Sequence, residues 1–332
     1  MSRAVLFATH GGPEVLQVAD VDVPPARAGE VRVRHHAIGV NFLDTYHRTG
    51  LYPVALPSGL GVEAAGIVES VGEGVEGFAV GDRVAYVHGA PGAYADLRCV
   101  PASALVQVPA AVSLEVAGSA MVKGMTAEYL LCRTFAVLSG HSVLIQAAAG
   151  GMGQLLSAWA RHLGAEVIGT VGSEAKAEVA RASGCHHVIN YATEDFVARV
   201  RELTGGVGVH VVYDGVGQST FEGSLDCLRR RGMMVSYGQA SGKIPPFEVG
   251  GLARRGSLFL TRPSLFDYIA VPADRLASAA AVFAMIEAGV LDLAPTTRLP
   301  LAEAAEAHRR LESRATSGST ILLAAAAEPL GG

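Results

Sequence analysis

Lysine is nearly absent: among 26 basic side chains only Lys123, Lys176 and Lys243 are lysines, against 31 acidic ones and a net charge of -5. No basic stripe is left for a phosphate backbone or an anionic bilayer, which argues against nucleic acid or a membrane as the main partner. Cysteine is scarce as well. Cys99, Cys132, Cys185 and Cys227 stand alone, with no C-x-x-C pair to gather a metal or form a redox disulfide, so a reduced, cytoplasmic setting is expected. Charged residues make up only 17% against 50% hydrophobic, and such a chain buries too much to stay disordered. The apolar run from Ala4 to Ala8 is too short for a signal peptide, and no export signal is expected. Residues 134–160 contain no Asp, Glu, Lys or Arg, yet their centre reads Ala149-Gly150-Gly151-Met152-Gly153 between Gln146 and Gln154. In lipid that backbone would leave amides unpaired, so the stretch is not read as a membrane span.

What the chain does have is length and glycine. Its 332 residues suffice for about two domains, and 40 glycines without a three-residue period imply many tight turns. The first third reads as strands, such as residues 31–34, 65–68 and 83–86, cut apart by Gly and Pro clusters. From residue 142 short apolar runs alternate with helical segments, which predicts βαβ units on a parallel sheet. Strands are expected at 142–147, 166–171, 187–190, 210–214, 233–237 and 258–261. Between the first two, Met152, Leu155, Leu156, Trp159 and Leu163 fall at helical spacing, and Gly164 ends the helix. Helices near 272–288 and 301–314 and a strand at 320–323 are expected to return to the first unit. The fold class is thus α/β: a β-rich unit of residues 1–124 and 262–332, and a doubly wound parallel-sheet unit of residues 125–261.

The apolar strand around Val143-Leu144-Ile145 leads through Ala147-Ala148-Ala149-Gly150-Gly151-Met152-Gly153 into that helix. Strand, glycine turn and helix in this order bring backbone amides to a pyrophosphate. A glycine string alone is weak; within a βαβ series it points to a dinucleotide, against the blander reading of close helix packing. An NAD site commonly presents a carboxylate to the ribose ~20 residues further on. Here the second strand ends Gly169-Thr170-Val171-Gly172-Ser173, with Lys176 one turn later. NADP is therefore expected over NAD, with Glu174 turned to water on the new helix.

The chain resembles the quinone oxidoreductase (zeta-crystallin-like) branch of the zinc-independent medium-chain dehydrogenase/reductase superfamily. The resemblance runs through His10-Gly11-Gly12-Pro13-Glu14-Val15-Leu16, Asn41-Phe42-Leu43-Asp44-Thr45-Tyr46-His47-Arg48-Thr49-Gly50-Leu51-Tyr52-Pro53, Gly59-Leu60-Gly61-Val62-Glu63-Ala64-Ala65-Gly66 and Lys123-Gly124-Met125-Thr126-Ala127. It continues in the glycine turn, Tyr213-Asp214-Gly215-Val216-Gly217, Tyr237-Gly238, Thr261-Arg262-Pro263-Ser264 and Leu311-Glu312-Ser313-Arg314-Ala315-Thr316, nearly the whole chain. It implies a GroES-like catalytic domain and a Rossmann NADP-binding domain. Zinc-dependent relatives carry Cys where this chain has Asn41 and His where it has Val62, and they have a four-cysteine lobe. This chain supplies neither ligand set, so no metal is expected. The histidine pairs His35-His36 and His186-His187 read as ordinary core or surface residues.

Carried over, the resemblance implies a nicotinamide pocket of Asn41, Phe42, Asp44, Tyr46, Thr126 and Tyr129. It puts Gly151, Met152, Ser173, Lys176 and Tyr191 at the adenine end, with Val216, Tyr237, Gly238, Pro263 and Arg314 along the rest. Asn41, Tyr46 and Tyr52 are the catalytic candidates. With NADPH as cofactor and no metal, the expected activity is quinone reduction, since a quinone carries its own electron sink. Reduction of α,β-unsaturated ketones or aldehydes is the competing reading, and cofactor-regulated binding of AU-rich RNA one of another class. A homodimer is expected, partly because strand 258–261 would otherwise leave an open apolar edge.

Overall fold

The computed structural model describes residues 2–313 and 318–325, which form two compact units. The first unit takes the described residues of 1–125, 269–287 and 292–332; the second takes 126–268 and 288–291.

The second unit is built on a six-stranded parallel sheet. Its order is His187–Asn190, Glu166–Val171, Ser142–Ile145, Val209–Asp214, Leu228–Ser236 and Phe259–Thr261. Strand order reverses between Ser142–Ile145 and Val209–Asp214, the topological switch point of a doubly wound fold. Val143, Leu144, Ile145, Val211, Val212 and Tyr213 are all fully buried. Helix-covered parallel strands bury both faces, and that is why these segments read as unbroken apolar runs. The helix Gly151–His162 buries Leu155, Leu156 and Trp159, and Gly164 follows it at φ +83°.

In the first unit a seven-stranded sheet has the order Pro295–Pro300, Ser319–Leu323, Glu30–Val40, Glu63–Val71, Arg83–Val87 and Leu105–Gln107, with Leu97–Pro101 also paired to Glu30–Val40. A smaller sheet joins Gln17–Val21, Ser2–Phe7 and Ser58–Gly59. The C-terminal return is real: Ser319–Leu323 pairs antiparallel with Glu30–Val40, Ile321 opposite Gly39. The chain rejoins this unit at Ile269, seven residues later than the expected 262. Tyr268 explains the delay. Its ring stacks on Tyr129 at 4.3 Å, its hydroxyl accepts from Thr134 at 2.8 Å, and its carbonyl accepts from Arg133 at 3.0 Å. No helix among the described residues is long and apolar enough to cross a membrane.

Candidate active site

In the second unit, Gly150 caps the helix Gly151–His162 in extended conformation, and its carbonyl takes the first helical amide, that of Gln154, at 2.9 Å. The amides of Gly151, Met152 and Gly153 therefore remain as donors at the positive end of the helix. A Cβ on Gly153 would collide with the Ala147 carbonyl oxygen and lie 2.6 Å from Ala148 Cα. The turn can close on the helix only with glycine there. Ala147 itself sits at φ 54°, a strained conformation for alanine and the kind of outlier that accompanies ligand sites.

A buried polar chain ties the strand ends below this turn. Thr170 donates to Gln146 Oε1 at 2.5 Å, Gln146 Nε2 donates to Ser224 Oγ at 3.0 Å, and Ser224 donates to Asp214 Oδ2 at 2.9 Å. Asp214 Oδ1 accepts the amides of Val216 and Gly217 at 2.8 and 3.0 Å. The neighbouring ends approach closely: a Cβ on Gly238 would lie 2.5 Å from the Gly215 carbonyl oxygen, and one on Gly215 2.8 Å from the Tyr237 ring. Glycines at these ends let the two loops approach this closely at the switch point, where a doubly wound fold binds its ligand.

At the end of Glu166–Val171, Ser173 caps the helix Glu174–Ala182, its oxygen accepting the Lys176 amide at 3.4 Å. A Cβ on Gly172 would lie 2.6 Å from the Tyr191 hydroxyl, so that phenol lies over the strand end. Lys176 and Tyr191 are exposed. Glu174 pairs with Arg181 at 3.1 Å on the exposed helix face. The Ser173 hydroxyl and Lys176 thus share the first turn of one helix, the Tyr191 phenol lies over the adjoining strand end, and the adjacent carboxylate is already partnered, a set of residue types that fits a phosphate dianion. With the helix amides above, the residues fit a phosphorylated dinucleotide.

In the first unit the strand Glu30–Val40 ends at Asn41, which caps the helix Phe42–Arg48. Asp44 Oδ2 accepts the Asn41 amide at 2.8 Å and the Tyr94 hydroxyl at 3.0 Å. Donor chemistry fixes the rest of this chain of bonds. Arginine can only donate, so Arg48 gives to His308 Nδ1 at 2.9 Å, and His308 gives its Nε2 proton to the Tyr94 oxygen at 3.1 Å. Arg48 is 1% exposed and also reaches Glu312 at 2.6 Å and the Gly11 carbonyl at 3.1 Å. Burial, with Arg48 beside it, pushes His308 down to about 3 and keeps the ring neutral.

On the other side Asn41 Nδ2 donates to Glu63 Oε1 at 2.7 Å, while Glu63 Oε2 accepts the Val122 amide at 2.6 Å. Lys123 Nζ is buried without a hydrogen bond, and its charge acts on both Glu63 and Asp44. Burial pushes Asp44 up to about 7, raises Glu63, and lowers Lys123. Tyr46 and Tyr52, both half-buried, meet edge to face at 5.3 Å, and the Tyr52 amide donates to the Tyr46 carbonyl at 3.0 Å.

The structure therefore joins Asn41 to Asp44, Tyr46 to Tyr52, and Ser173 to Lys176. Phe42 is 40% exposed beside Asn41. Asp44, expected to line the pocket, is fully buried and bonded inward, so it holds the Asn41 backbone instead of offering its own surface. Thr126 and Tyr129 fall in the second unit. Val216, Tyr237 and Gly238 lie at strand ends, Pro263 lies half-buried beyond Phe259–Thr261, and Arg314 falls outside the described residues. Val62 is fully buried, and among the described residues no three His, Cys, Asp or Glu side chains cluster to hold a metal ion. Sequence reading gave no role to Glu63, Lys123, Arg48 or His308. The available signal was a lone charge inside an apolar stretch, as in Gly61-Val62-Glu63-Ala64-Ala65 and Met121-Val122-Lys123-Gly124, since such charges are buried only with partners. Also unforeseen is the π-helical turn Tyr129–Thr134, an irregularity frequent at functional sites.

Two family models match this frame: the alcohol dehydrogenase GroES-like domain over residues 27–110 and the zinc-binding dehydrogenase over residues 151–270. Quinone oxidoreductase 1 of Escherichia coli is 47% identical over 97% of this chain and 100% of its own length. The 2-haloacrylate reductase of a Burkholderia species is 49% identical over 97% of this chain and 99% of its own. The crystal structure of the E. coli quinone oxidoreductase complexed with NADPH superposes with a TM-score of 0.94 at 46% identity, covering 97% of this chain and 100% of that one. The chain belongs to the quinone oxidoreductase branch of the medium-chain dehydrogenase/reductase family.

Proposed function

We infer that this protein is an NADPH-dependent quinone reductase that works without a metal. The observation that carries the cofactor is the donor set at the end of Glu166–Val171, where Ser173, Lys176 and Tyr191 would hold a 2′-phosphate while the Gly151, Met152 and Gly153 amides hold the pyrophosphate. When bound, NADPH supplies the reducing equivalents. For the nicotinamide, the family likeness supports Asn41 and Phe42 in the first unit and Thr126 and Tyr129 in the second, Tyr129 being buried against Tyr268. Val216, Tyr237, Gly238 and Pro263 carry the stretch between the two ends of the cofactor. The Tyr46–Tyr52 ring pair and the Tyr52 hydroxyl would place a flat acceptor, so positioning and hydrogen bonding replace the Lewis acid that a simple carbonyl requires. The quinone class is supported by the full-length likeness to quinone oxidoreductases.

A second reading, reduction of an activated carbon–carbon double bond, is favoured by the equally extensive likeness to the 2-haloacrylate reductase. One panel separates them: NADPH oxidation with 1,4-benzoquinone, naphthoquinones, simple enones and 2-haloacrylates. Turnover of quinones is expected; reduction of enones or haloacrylates with every quinone ignored would replace the first reading by the second. A homodimer is supported by the edge strand Phe259–Thr261, where Phe259 is 56% and Leu260 39% exposed. Sedimentation at micromolar concentration tests it, and a monomer refutes it. A cytoplasmic location is supported by four free thiols.

A further inference from the structure

We propose that Glu63 is a positioning residue for the reaction, its two buried oxygens deciding which end of the Asn41 carboxamide is presented to the ligand. The inference rests on Asn41 belonging to the nicotinamide side of the site. Glu63 opens the strand Glu63–Val71, is fully buried, and sits where a Cβ on Gly39 would collide with its Oε1. The neighbouring strand is thus kept bare to admit the carboxylate. One oxygen takes Asn41 Nδ2 and the other takes the Val122 amide of the helix Leu114–Glu128, with the Met121 amide and the buried Lys123 charge also acting on the carboxylate. With Nδ2 committed to Glu63, the amide oxygen of Asn41, the acceptor of the capping box with the Asp44 amide, is the end with a further lone pair for a ligand donor.

The isosteric variant exposes this logic. Glutamine has one acceptor end, and the Val122 amide cannot turn over because it belongs to helix backbone. The Gln oxygen must go to Val122, so its NH2 meets the Asn41 NH2 and the Asn41 carboxamide must invert. A donor then stands where an acceptor stood.

The test combines Glu63→Gln with Asn41→Ser, which removes the carboxamide but keeps a good helix cap. NADPH affinity, by fluorescence titration, and turnover with a quinone are measured for the single and double variants, with unfolding midpoints alongside. Glu63→Gln is expected to lose about tenfold in affinity or turnover, and less than about twofold when Asn41 is already Ser. Glu63→Asp, which keeps two acceptor oxygens, is expected to retain more than Glu63→Gln. Wild-type behaviour of Glu63→Gln, an equal loss in both backgrounds, or a reversed order of Asp and Gln overturns the proposal. Absence of quinone turnover in the wild type would sink the acceptor assignment alone, since the affinity arm still reads Glu63.

Discussion

Asp44 offers a pH signature that can be isolated by one substitution. Burial pushes its carboxyl from 3.8 up to about 7. Below 3.8 the folded and unfolded chains are both protonated there. As pH rises from 3.8 towards 7 the unfolded chain ionises while the folded carboxyl keeps its proton, so stability falls by about 1.4 kcal/mol per unit and by about 4 kcal/mol in all. Above 7 the contribution is flat. Asp44→Asn removes the titration yet keeps the contacts, because both bonds go to one oxygen, Oδ2, which the amide oxygen can replace. Its NH2 would occupy the place of Oδ1, an oxygen buried without a partner, at a cost that does not depend on pH. The stability of the variant relative to wild type should therefore grow by about 2–3 kcal/mol between about pH 5 and about pH 7, less whatever the neighbouring Glu63 and Lys123 share of the titration. His35 and His308, held down to about 4 and about 3, lose stability on acidification in both proteins and drop out of the difference. Urea unfolding across that range, with unchanged m-values, measures it. A difference between the two proteins that stays constant with pH would refute a buried, late-titrating Asp44.

Lys176→Ala should raise the Michaelis constant for NADPH by about tenfold, the lower end expected of an exposed charge-assisted contact, and leave that for NADH nearly alone; equal effects on both would make the lysine structural. Gly153→Val should abolish measurable NADPH binding and cost about 1–3 kcal/mol of stability, because its Cβ meets backbone rather than a movable side chain; a titration showing wild-type affinity would contradict the closed turn. Tyr52→Phe keeps the ring contact with Tyr46 and should lower turnover with NADPH affinity unchanged; a loss of affinity instead would move Tyr52 to the cofactor.

How much of this was legible in the sequence depends on how far apart the partners lie along the chain. The nucleotide turn is made by consecutive residues, so strand, glycines and helix could be read together, and the helix Gly151–His162 lies where Met152, Leu155, Leu156 and Trp159 place it. The strand expected at 233–237 begins earlier, at Leu228, because Arg229, Arg230 and Arg231 belong to it. Arg231 at φ 56° and the register shift between Val209 and Val211 show the irregularity that let a polar run enter a parallel sheet. The helix expected over 301–314 splits into a 3-10 turn Leu301–Glu303 and the helix Ala304–Glu312. The delayed return at Ile269 depends on Tyr268 meeting Tyr129, a contact that no periodicity encodes.

The catalytic candidates of the first unit show the same rule at its limit. Asn41 is held by Glu63 and Asp44, Asp44 by Tyr94, Tyr94 by His308, and Arg48 pairs with Glu312 across 264 residues of sequence. Hydrophobic periodicity is read in windows of ~11–18 residues, so it marks the strand and helix that carry each group but not their meeting. A buried charge is costly to keep when an apolar residue would fill the same space. Asp44, Glu63 and Lys123 nevertheless surround the Asn41 cap, and Arg48 is linked to it through His308, Tyr94 and Asp44. Their shared effect is to leave that carboxamide one orientation and one backbone position, which is what a site acting by placement alone requires. Coupling between Glu63 and Asn41 in the double-variant experiment is therefore the measurement on which this account of the buried charges turns.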